Sequence, residues 1–199
     1  MSARVMRSYH GSMRQGLLLF AAIVSAWAAA GHGQVPDRAE AARAFETVKQ
    51  VLQHPRCQNC HIPGNAPLQY DQGLPHAMKV ERGADGHGTA LKCSNCHQTS
   101  NPPAGYSLHA PPGAPNWHLP PANMKMVFKD LTSAELCRVL KDPKRNGGKT
   151  PEQLLKHVAE DKLVLWGWEP GGERTPVPVP HAQFVAAFKQ WISEGMPCS

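Results

Sequence analysis

Cys57-Gln58-Asn59-Cys60-His61 and Cys93-Ser94-Asn95-Cys96-His97 are two copies of Cys-x-x-Cys-His in a chain of 199 residues. No other feature restricts the possible folds as strongly. The pattern is the one through which a c-type haem is attached to protein. Two thiols add across the two vinyl groups on one porphyrin edge, and two intervening residues let both sulfurs reach it. The adjacent histidine then offers a ring nitrogen to the iron. Cys57, Cys60, Cys93 and Cys96 are therefore the expected covalent anchors of two haem c groups, with His61 and His97 as proximal ligands. Two other uses compete. Four thiolates can close a tetrahedral zinc cage, as in a zinc-stabilised binding module, but this leaves both histidines unexplained. A redox dithiol needs a strand–helix context that the surrounding sequence lacks.

The cofactor reading changes what fold to expect. Hydrophobic residues make up 41% of the chain, while 17 Gly and 19 Pro imply much irregular backbone. A buried porphyrin is itself a large apolar core element and offsets chain entropy that few side chains would offset alone. The expected class is mainly α: cytochrome c-like helices and long Pro/Gly-rich loops packed around two covalently bound haems. The motifs start at Cys57 and Cys93, closer together than the ~50 residues of a small domain. One compact body over residues 37–199 should hold both.

Arg4, Arg7 and Arg14 precede an apolar run, Gly16 to Ala30, and no acidic residue occurs before Asp37. A basic start, a short apolar stretch and Ala28-x-Ala30 fit a secretory signal over 1–30, followed by a flexible leader over 31–36. The run is short for a membrane span, though retention as an anchor is the alternative. The expected product is soluble, periplasmic and without stable membrane insertion. The formal charge of +6 includes the three leading arginines. No concentrated basic stripe remains, so no nucleic-acid partner is expected. Cys137 and Cys198 lie outside both motifs, and in an oxidising compartment their simplest fate is a disulfide with each other.

Helix signals are clear in three places. Asp37 with Glu40, Thr132 with Glu135, and Thr150-Pro151 with Gln153 each read as a capped start, two with apolar residues at helical spacing behind them. Pro55 should stop the first helix ahead of Cys57. Phe184, Phe188, Trp191 and Ile192 mark a final amphipathic helix. No β pattern stands out. Asn101 to Pro121 reads as an extended loop over a haem face, with Trp117 as its anchor.

The ligand opposite each proximal histidine decides the chemistry. A second strong ligand makes an electron carrier; an open position makes a peroxidase-like enzyme or a gas binder. Met126-Val127-Phe128, after a Pro-rich loop and before a capped helix, resembles the methionine-ligand segment of class I cytochromes c. Met126 is the expected distal ligand of the second haem, with Met124 the alternative. His76 is expected opposite the first, with His157 the alternative. His109, His118 and His181 lie among prolines and are expected to face solvent or cap loops.

The stretches Val51 to His61, Arg82 to Gly86 and Pro112 to Trp117, with Asp142 to Gly148 and Leu163 to Trp168, carry a further likeness. They resemble bacterial dihaem proteins often labelled "isoquinoline 1-oxidoreductase subunit", over about residues 45 to 198. The resemblance implies redox protein partners, among them a molybdenum-containing hydroxylase whose electrons a periplasmic cytochrome accepts. The expected function is single-electron transfer between a dehydrogenase or hydroxylase and a downstream acceptor, with no catalytic residues of its own.

Overall fold

Helix α1, Arg38–Leu52, opens at Asp37, whose carboxylate accepts from the N–H groups of Ala39 and Glu40. Only half of the expected capping box forms. The Asp37 N–H goes instead to Glu194 Oε2 at 2.7 Å, a partner 157 residues away that no local window reveals. The computed structural model describes residues 37–107 and 109–198. The expected signal 1–30 and leader 31–36 lie outside the described residues.

Helix α1 ends at Leu52, and Pro55 does not merely stop it. Pro55 takes the first position of a short helix α2, Pro55–Gln58, where its missing N–H costs nothing. His54 caps this helix by accepting the Arg56 N–H at 3.3 Å. The first motif therefore starts on a helical turn locked to the end of α1. The second starts on a 3₁₀ turn, Cys93–Asn95, which has no side-chain cap.

Helices α3, Ser133–Lys141, and α4, Pro151–Glu160, carry both halves of their capping boxes, as expected. After α4 come α5, Lys162–Leu165, a 3₁₀ turn over Trp166–Trp168, and the last helix α6, His181–Ser193. Helix α6 packs along α1, with Phe45 and Trp191 ring centroids 4.8 Å apart. Phe184, Phe188 and Trp191 are fully buried, and α3 adds Leu136 and Leu140. Each such side chain contributes roughly 1.5–3 kcal/mol through burial. Cys137 of α3 is bonded to Cys198, closing a separation of 61 residues as the leftover cysteines suggested.

Between residues 61 and 132 the chain is mostly loop. Strands β1, Leu68–Gln69, and β2, Leu74–Pro75, pair antiparallel. Two residues per strand are too few for an alternating pattern, so the sequence does not reveal them. The loops are layered through close backbone approaches. A Cβ on Gly113 would sit 2.1 Å from the Ser100 oxygen, and one on Gly86 2.0 Å from that of Leu119. The described residues form one compact, mainly helical unit with little strand. Among them, no helix is long and apolar enough to cross a membrane.

Candidate functional site

Each motif opens on its own cavity. The first, about 390 Å³, is lined by Cys57, Cys60 and His61 together with Met126, Leu154 and His157. The second, about 360 Å³, is lined by Cys93, Cys96 and His97 together with His76, Arg82 and Leu91. Both volumes lie in the range of cofactor pockets. Arg56, Cys60, Trp117 and Trp166 line both cavities, so the two share a wall.

The two histidines are held in the same way by unrelated segments. His61 Nδ1 donates to the Met126 carbonyl at 2.8 Å, and His97 Nδ1 donates to the Pro112 carbonyl at 2.8 Å. A carbonyl can only accept, so the ring proton sits on Nδ1 and Nε2 keeps its lone pair for a metal. Each ring also lies flat against an aromatic: His61 on Phe128 at 3.9 Å and 12°, His97 on Trp117 at 4.4 Å and 4°. Desolvation drives the His61 pKa down to about 3, and lowers that of His97. Both rings are therefore neutral near pH 7, as a metal ligand must be.

Met126 reaches its position at a cost. Its φ of +48° lies in the left-handed region, worth on the order of 1–3 kcal/mol for a residue with a side chain. The N–H groups of Phe128 and Lys129 bond the His61 carbonyl at 2.9 and 3.2 Å, completing a clasp between this loop and the motif. This arrangement corrects an expectation. Met126, and Met124 with it, belong to the cavity of the first motif and not to that of the second. The clasp onto His61 draws the whole segment there.

His76 is corrected in the opposite sense. Expected opposite His61, it lines the second cavity, its ring centroid 6.3 Å from that of His97. The β1–β2 hairpin turns the chain back, and the His76 N–H is fixed on the Pro67 carbonyl at 3.1 Å. His157, the alternative for the first haem, does line the first cavity. Its Nδ1 lies 3.3 Å from Asp161 Oδ2, and that bond holds the Asp161 carboxyl down at about 2. His118 also faces the first cavity, whereas His109 is exposed at the second and His181 bonds the Val158 carbonyl at 3.0 Å.

The lining of the second cavity fits a porphyrin. Arg56, Arg82, Lys92 and Arg174 contribute to it, and no Asp or Glu does. Arg82 is 3% exposed; its guanidinium donates to the Pro120 carbonyl at 2.8 Å and more loosely to those of Cys60 and Ile62, its Nε has no partner, and no ion pair among the described residues includes it. A buried, unpaired cation is costly, and the carboxylates of a haem would supply the missing charge. The thiols of the first motif do not suit the redox reading. Burial pushes the Cys57 thiol up to about 12 and the Cys60 thiol up to about 11, away from the thiolate that a reactive redox pair needs. Among the described residues, no three His, Cys, Asp or Glu side chains gather closely enough to hold a metal ion.

Arg82, Phe128 and Trp166 escaped the sequence reading of the site. Each lies in a stretch the sequence singles out, Phe128 beside Met126, Arg82 in Arg82 to Gly86 and Trp166 in Leu163 to Trp168, but residue order gives none of them a role at the site. Comparison with protein-family models, with curated proteins and with solved structures returns no match.

Proposed function

We propose that the protein is an exported dihaem c-type cytochrome that relays single electrons between redox proteins. One observation carries the reading: each Cys-x-x-Cys-His opens on its own cavity, and each histidine is turned by a main-chain carbonyl to leave Nε2 free for iron. When bound, the haems supply the one-electron chemistry. The chain does the rest. Cys57 with Cys60, and Cys93 with Cys96, would anchor the groups covalently. His61 and His97 would hold the irons. Met124 and His157 stand as candidates for the far side of the first iron, while Met126, whose own carbonyl accepts from His61 Nδ1, stands behind that ring. Arg82, with Arg56 and Arg174, would balance the propionate charge.

The wall shared through Cys60, Trp117 and Trp166 favours two neighbouring centres over two independent ones. The periplasm is the compartment this reading requires, since the disulfide and thioether chemistry both belong outside the cytoplasm. The sequence resemblance makes a molybdenum hydroxylase the first electron donor to try. A pyridine haemochrome assay of the purified protein tests the proposal directly. Two c-type haems per chain are expected, and a colourless protein would refute it.

A further inference from the structure

His76 takes no part in the hydrophobic core, yet its ring stands 6.3 Å from the ring of His97, centroid to centroid, at 54°. That spacing is not a stack; the stacked histidines of this protein lie 3.9 and 4.4 Å from their aromatic partners. Nor does any hydrogen bond among the described residues join the two rings. Two imidazoles bound on opposite sides of one metal ion, with each nitrogen at about 2 Å, have centroids about 6 Å apart. The pair stands at the separation that a single iron between them demands.

Their supports differ. His97 is pinned from behind by the Pro112 carbonyl and by Trp117. The main chain of His76 is fixed on Pro67, but among the described residues its ring is hydrogen-bonded only by the Met78 N–H, which reaches Nδ1 at a long 3.3 Å. One ring is anchored and the other adjustable.

We propose that His76 is the second axial ligand of the iron whose proximal ligand is His97, making that centre six-coordinate with two imidazoles. The proposal rests on the dihaem reading above. In the unbound ring the Met78 contact keeps the single proton on Nε2. Coordination through Nε2 leaves that proton on Nδ1, so the ring stays neutral and the Met78 contact is exchanged for the iron bond. The second centre is then closed to small ligands and suited to electron transfer rather than to catalysis at an open iron.

The test uses the full-length haem-loaded protein and its His76→Ala and His76→Met variants, read by optical and paramagnetic resonance spectra beside a haem count. With His76→Ala, two covalent haems remain. One ferric centre turns high-spin, its ferrous form gains carbon monoxide binding, and added imidazole restores the low-spin spectrum. With His76→Met, the reduction equilibrium of one centre moves at least tenfold toward the reduced form, ~59 mV for one electron. Two haems with unchanged spin states in the first variant, or unchanged potentials in the second, would overturn the assignment. Absence of covalent haem from the wild-type protein would instead remove the dihaem reading itself, so the two failures are distinguishable.

Discussion

The two motifs share five residue positions and a proximal arrangement, but their surroundings are opposites. Around the first, α2 abuts α1, Cys57 packs against the hydrophobic core, and Arg56 and Asn59 are buried. Around the second, Ser94, Asn95 and Cys96 are exposed on a 3₁₀ turn between loops. The first cavity is backed by α4 and α6 and contains an acid, Asp161; the second is walled mostly by loops, and its charged lining residues, Arg56, Arg82, Lys92 and Arg174, are all cations. A short motif thus fixes which residues are adjacent, while both the orientation of its histidine and its environment are set by what the chain brings around it. In this protein the first motif belongs to the core and the second to the surface.

Removing the thiols of one motif at a time gives the sharpest contrast. Changing Cys57 and Cys60 to Ser should abolish stable folding, since the emptied space adjoins the core at a cost of several kcal/mol, on the order found for large cavities. Changing Cys93 and Cys96 to Ser should leave a folded protein with one haem. Near-ultraviolet circular dichroism and a haem count read both, and equal tolerance of the two losses would end the distinction. Next in size is the disulfide. Cys198→Ser should lower stability by ~2–4 kcal/mol in urea denaturation while leaving the spectrum of the second centre unchanged.

Asp71→Asn probes the junction between the two regions. Asp71 pairs with Arg56, whose side chain is 3% exposed, and also accepts from Thr175. A loss of ~1–3 kcal/mol is expected, because a buried guanidinium is left unpaired. Burial alone would raise the Asp71 pKa, but the Thr175 bonds and the Arg56 charge outweigh it and hold the carboxyl below its ordinary value. A depressed acid contributes stability that is full above about pH 3.9 and is lost as pH falls through the folded value. The variant should lack that acid limb in denaturation curves taken across the range. The smallest effect belongs to Trp117→Leu. Losing the stack on His97 should cost ~0.5–1.5 kcal/mol and broaden the resonance signal of the second centre more than that of the first, whose cavity Trp117 also lines.

Much of the local structure could be read from residue order. The capping pairs Thr132–Glu135 and Thr150–Gln153 form as written, because both partners lie within one turn of each other. The apolar stripes of α1 and α6 locate the core, and the pairing of Cys137 with Cys198 follows from what the motifs leave over. The candidate proximal ligands were legible for the same reason: their defining neighbours are adjacent in sequence.

The far sides of the cavities were not. Sequence order suggested His76 opposite His61 and Met126 opposite His97; the fold carries His76 to the second cavity and sets Met126 behind His61. In a stretch with little periodicity, the loop path depends on distant hydrogen bonds, such as Phe128 to the His61 carbonyl, and on glycines such as Gly113 that admit another backbone. By itself the chain specified two attachment motifs, their histidines, the helix starts and the disulfide, all set by covalent spacing or contacts within a turn. Which loop faces which histidine was decided only by tertiary packing, because contacts tens of residues apart have no local pattern to announce them.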